Sequence, residues 1–177
     1  LIAAFKELND NKSYLFLVGR IEENHRIDAG LMKWAQSQKN VIFTGPTANP
    51  AKYFASFDYM MLPSYQEGFG MTVVEASALG VPPIITNIKG PTDLVTDGFN
   101  GFVCDVKSVK SLLETMRKAI SISVEDYERF NDFIQTFDLL MEYNINGNDP
   151  LGALYDQYAI YLADGDAALW ANGSWAW

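Results

Sequence analysis

The spacing of apolar residues changes repeatedly along the first 120 positions. Leu1, Ile2, Phe5 and Leu8 recur at helical spacing, and the apolar run "SYLFLVG" after them reads as a short buried strand stopped at Gly19. A helix near 28–38 comes next, then "NVIFTG" as a strand and a short helix over 50–56 with Pro50 in its first turn. "DYMMLPS" is a third strand, followed by a helix from 70 to 80 that Gly80 closes. "PPIIT" and "NGFVC" are two further strands, and "VKSVKSLLETMRKAI" is a closing amphipathic helix. Short apolar strands alternating with helices predict an α/β fold, a Rossmann-like doubly wound parallel sheet covered on both faces. Ligands of such sheets bind beyond the carboxyl ends of the strands.

Past residue 130 the pattern changes. Phe133, Phe137, Leu140 and Met141 keep helical spacing, a second helix is expected over 151–163, and "AALWA" at 167–171 reads as a strand. This second segment, 131–177, is therefore α-rich with one short strand, and 1–130 forms the first domain. Charge marks the same seam. All 13 Lys and Arg lie at or before Arg129, whereas seven of the 22 acids lie after it, which leaves 15 acids against 13 bases in the first 130 residues. Three of the four tryptophans, Trp170, Trp175 and Trp177, also fall in the tail.

The remaining composition mainly excludes. A net charge of −9 argues against a nucleic-acid partner or an anionic membrane. No apolar run reaches the ~18 residues of a membrane-spanning helix, and the start has no signal-peptide pattern; a cytoplasmic location is expected for the first part of the chain. Cys104 and His25 are each the only residue of their kind. That leaves no intrachain disulfide, no cysteine-rich metal site and no Cys–His or Ser–His pair, and His25 within "EENHRID" reads as a solvated loop residue. No metal and no cofactor are expected.

The chemistry concentrates in "EGFGMTVVE", residues 67–75. Glu67 through Gly70 form the loop after the strand "YMMLP", and Thr72 to Leu79 form the next helix. The N–H groups near Phe69, Gly70 and Met71 are the unpaired donors of that helix's first turn, and they suit an anion such as a diphosphate. Gly68 and Gly70 let its oxygens come close. Glu75, one helical step on, accepts hydrogen bonds from a diol such as that of ribose, and Glu67 reaches hydroxyls at the ligand's other end. Taken singly, Glu75 is an ordinary helix residue and Glu67 a charge favoured by the helix dipole; the surrounding pattern argues for more.

The run "LPS…EGFGMTVVEA" followed by "GVP" resembles the C-terminal donor-binding domain of GT-B glycosyltransferases of the GT4 family (group 1), over residues 1–130. The resemblance implies the second half of a GT-B fold and a retaining hexosyltransferase whose ligand is a UDP-, GDP- or ADP-sugar. Glu67 would hold the transferred sugar in the catalytic position, Glu75 the ribose, and Gly68, Phe69, Gly70 and Met71 the sugar and diphosphate. Gly45 would border the base, with Tyr53 and Phe54 nearby but expected in the core. The family's domain opens with a strand and a turn carrying an Arg and a Lys for the phosphates. The chain resembles it only from the helix that follows, and Arg20 and Lys89 are the nearest bases left. The first strand of a 3-2-1-4-5-6 sheet is central, so its absence predicts uncovered edges and possible self-association. An acceptor-binding N-terminal domain would be the missing partner, and the fragment alone is expected to be inactive.

The tail resembles a part of ABC-transporter solute-binding proteins for sugars, on "GDAALWANGSWAW". It implies an extracytoplasmic relative and a sugar ring stacked on Trp175, although core packing of the tryptophans is the plainer reading. Two alternatives to donor binding follow: a non-enzymatic chimera or designed fold assembled from both kinds of fragment, and a sugar-binding receptor fragment. "AALWA" is also a candidate for the vacant central strand.

Overall fold

The computed structural model describes residues 1–21, 27–128 and 130. Eleven elements follow in order among them: α1 (Ile2–Leu8), β1 (Leu15–Val18), α2 (Ala29–Ser37), β2 (Val41–Gly45), α3 (Ala51–Phe54), β3 (Met60–Leu62), α4 (Met71–Ala78), β4 (Pro83–Thr86), α5 (Pro91–Leu94), β5 (Phe102–Cys104) and α6 (Val109–Ile120). The alternation is the expected one. Asp28 caps α2 by accepting from the Leu31 N–H, and Ser108 caps α6 by accepting from Ser111. The expected helix over 50–56 shrinks to a single turn, with Pro50 at its cap. The four-residue α5 was not expected at all, because one turn after Gly90 is too short to set up a period.

All three ladders of two or more residues are parallel, but they form two sheets: β1–β2, and β3–β4–β5 with β4 in the middle. Among the described residues β1 pairs only with β2, and β3 only with β4. No ladder joins β1 to β3 among these residues, and that is the place where the vacant central strand is expected. The candidate strand 167–171 lies outside the described residues, as does the whole tail.

Packing nevertheless unites the two sheets. One core cluster takes Leu15 and Val41 from the first sheet with Ile84, Phe102 and Cys104 from the second, under Phe5 of α1 and Leu112, Leu113 and Met116 of α6. A second cluster, on Met60, Leu62, Val73, Ala76 and Ile85, lies between the three-stranded sheet and α4. β4 is buried at every position, and each of Ile84 and Ile85 removed from water stabilises the fold by ~1.5–3 kcal/mol. A Cβ on Gly101 would strike the Pro83 carbonyl, so a glycine is needed where β5 meets the start of β4.

Beyond α6, Tyr127 and Phe130 still pack on this domain. Tyr59 Oη donates to the Ala119 carbonyl at 2.8 Å, and Tyr127 Oη donates to the Asp58 carbonyl at 2.8 Å. Phe130 is buried edge-on against Phe102 at 5.3 Å between centroids. No helix among the described residues is long and apolar enough to cross a membrane.

Candidate functional site

Three loops meet at the carboxyl end of the second sheet: 63–70 after β3, 87–90 after β4 and 105–108 after β5. Thr86, the last residue of β4 and 3% exposed, donates its hydroxyl to the Ser64 carbonyl at 2.5 Å. The Asn87 N–H donates to the Cys104 carbonyl at 2.7 Å. Gly90 lies so close to the first loop that a Cβ there would penetrate the Gly68 carbonyl and stand 3.3 Å from Phe69 Cα. With φ at +97°, only glycine is at ease in that position.

These ties hold Glu67 in place. Ser64 Oγ donates to Glu67 Oε1 at 2.6 Å, a short charge-assisted bond from a residue whose own carbonyl is held by β4. The side chain is half-buried, and among the described residues no other donor reaches the carboxylate, which leaves lone pairs for hydroxyl donors.

Helix α4 begins directly after this loop. Its N-cap, Gly70, has φ +87°, and a Cβ there would crowd the Pro91 ring at 3.2 Å. Val73 N–H closes the first turn on the Gly70 carbonyl at 2.8 Å. Among the described residues, the N–H groups of Phe69, Gly70 and Met71 donate to no carbonyl, so they remain for an anion. Gly68 faces open space, since a Cβ there would meet nothing within 4 Å. Phe69 and Met71 are exposed at the rim.

Glu75 sits on α4 and is half-buried, and its carboxylate accepts no hydrogen bond from the described residues. Burial pushes its pKa above the ordinary 4.5. A partly buried carboxylate with unfilled acceptor capacity is ready for an incoming pair of hydroxyls.

The structure therefore brings Glu67, Gly68, Phe69, Gly70, Met71 and Glu75 together on one loop and one helix. Gly45 and Arg20 belong to the other sheet. Gly45, with φ +70°, ends β2, and its carbonyl accepts from the Gly19 N–H at 3.1 Å. Arg20 follows that pair and is exposed. Lys89 is exposed next to Gly90. Phe54 packs on the second core cluster, as its expected core role requires. His25 and Trp175 lie outside the described residues. Sequence reasoning missed Ser64, Thr86 and Gly90. Of these only Gly90, followed by Pro91, left a turn signal.

Residues 1–136 match the family model for glycosyl transferases group 1. That match crosses the charge seam, and a chimeric origin is left without support. The capsular polysaccharide biosynthesis glycosyltransferase CapM of Staphylococcus aureus is 31% identical over 124 residues, covering 68% of this chain and 32% of the relative. The chain thus spans about a third of that relative's length. Two solved structures share the fold. A glycosyltransferase from Rickettsia africae has a TM-score of 0.70 at 19% identity, over 91% of this chain and 42% of the other. HepE of Anabaena, solved in complex with UDP-glucose, has a TM-score of 0.65 at 21% identity, over 77% and 38%.

Proposed function

The chain belongs to the group 1 glycosyl transferases, and on that premise we propose that it forms the donor-binding part of an enzyme that transfers a sugar from a nucleoside diphosphate sugar with retained anomeric configuration. The observation that carries the reading is the pair of carboxylates on either side of unpaired amides, one held by Ser64 and one half-buried without a partner. The diphosphate takes the Phe69–Met71 amides, where the helix dipole favours negative charge. Glu67 accepts hydrogen bonds from the transferred sugar and fixes the ring for departure of the diphosphate. Glu75 accepts from the ribose diol. In this reading Gly45 borders the base and Arg20 is a candidate for the phosphates. The amides serve as fixed donors to charge that grows on the leaving oxygen.

Acceptor recognition is assigned to residues outside the third of that relative's length that the chain spans. HepE, which shares the fold, is seen with UDP-glucose, and that favours uridine among the possible bases. Titration of the 177-residue chain with UDP-glucose, GDP-mannose and ADP-glucose by calorimetry is the test. Binding of one of them, weakened about tenfold or more by Glu75→Ala, is expected for loss of a charged acceptor worth ~1.5–3 kcal/mol. Absence of binding by all three at millimolar concentration overturns the reading.

A further inference from the structure

Two non-glycine residues among those described have positive φ, Asn9 at +49° and Lys107 at +61°. Asn9 is the C-cap of α1, a place where asparagine is at home. Lys107 has no such excuse. It lies in the turn between β5 and α6, immediately before the cap Ser108, where a left-handed backbone is needed and glycine would supply it without steric cost. An outlier of this kind points to a side chain that is wanted for itself.

The Lys107 side chain reaches the 63–70 loop. Its ammonium stands 5.4 Å from the centroid of the Tyr65 ring, a cation–π distance. Tyr65 is 68% exposed, so nothing in the core holds that ring. Its neighbour Ser64 is the residue that donates to Glu67 and is itself gripped by Thr86. The loop is thus tied to β4 at Ser64, packed against Gly90 at Gly68, and tied to the β5–α6 turn at Tyr65. The last tie is the exposed one, and it is made by the strained residue.

We propose that Lys107 is a positioning residue for Glu67: from the β5–α6 turn its ammonium holds the Tyr65 ring and thereby fixes the segment 64–67 that presents the carboxylate. The role of Glu67 rests on the donor-site reading above; the fixing of the loop does not. In this role Lys107 acts through Tyr65 and Ser64. Only a cation over the ring is required, so arginine serves in its place and glycine does not.

Three variants of the full chain test this: Lys107→Gly, Lys107→Arg and Tyr65→Leu. Lys107→Gly is expected to leave the melting temperature unchanged or higher, because glycine suits the turn. In the same protein, NMR order parameters of the 64–67 amides, measured without ligand, are expected to fall from the ~0.85 of rigid backbone towards ~0.6, and UDP-glucose affinity to fall about two- to fivefold. Tyr65→Leu should repeat both changes, and Lys107→Arg should restore wild-type values. A merely structural lysine would alter melting and leave the order parameters at 64–67 alone. Unchanged order parameters in both Lys107→Gly and Tyr65→Leu overturn the proposal. If the wild-type chain binds no UDP-glucose, the donor reading with that nucleotide falls, and the order-parameter comparison still decides whether Lys107 holds the loop.

Discussion

The two sheets are made of the same kind of short parallel strand, yet they differ in how firmly they are enclosed. In the three-stranded sheet every residue of β4 is buried, and the loops beyond it are tied side to side. In the β1–β2 pair only Leu15 and Val41 are buried, and Phe16 and Val18 are 36% and 38% exposed. The pairing there also slips between Leu17 and Val18, at the carboxyl end. Phe16 meets the other half through Phe57, at 5.3 Å between rings. Firmness is placed where the two carboxylates are presented; the half that carries Gly45 and Arg20 is left looser.

Truncation of one aromatic ring in each half gives the largest expected contrast. Phe102→Ala empties the middle of the core beneath Tyr59 and Phe130 and should cost about 3–5 kcal/mol in urea unfolding. Phe16→Ala should cost about 1 kcal/mol or less. Equal losses would mean that the two halves are equally enclosed, and the contrast would collapse.

A single methyl at the loop contact sharpens the same point at the site. Gly90→Ala meets both a backbone clash with Gly68 and a φ reserved for glycine, at about 1–3 kcal/mol. Nucleotide-sugar binding should fall with it, since the displaced atoms belong to the Glu67 loop; Gly19→Ala, with nothing near its Cβ, is the control for strain alone. Calorimetric titration beside thermal melting separates the two effects.

The smallest effect concerns pH. Burial raises the Glu75 pKa above 4.5, so the folded protein favours the protonated form. Its contribution to stability is full below the unfolded value and is lost as pH rises through the raised one. Glu75→Gln should therefore be more stable than wild type at pH 7, with the advantage shrinking towards pH 4. Urea unfolding at the two pH values checks it, and an advantage that grows in acid would contradict the assigned direction.

Much of this could be read from the sequence, for reasons that differ by residue. The strands announced themselves because β4 and its neighbours are buried on both faces and so appear as apolar runs. Gly70 was legible because the cap of α4 needs its positive φ, whereas Glu67, Gly68 and Glu75 were grouped by the resemblance of the whole run. Ser64 and Thr86 were not legible: their bond joins residues 22 apart, and neither is unusual where it stands. The same holds for Gly90 and Lys107, whose importance comes from contacts across loops. Among the described residues no ladder joins β1 to β3, and the segment proposed to fill that place lies outside them.

The loop that carries Glu67 draws all its supports from β3, β4, β5 and the turn into α6, one unbroken stretch of chain. The site is therefore a cassette in the hereditary sense. A crossover that exchanges the sequence before β3, or beyond Phe130, hands on both carboxylates, the free amides and every brace intact. A family that keeps its donor chemistry while varying what surrounds it could diversify along such boundaries without rebuilding its centre.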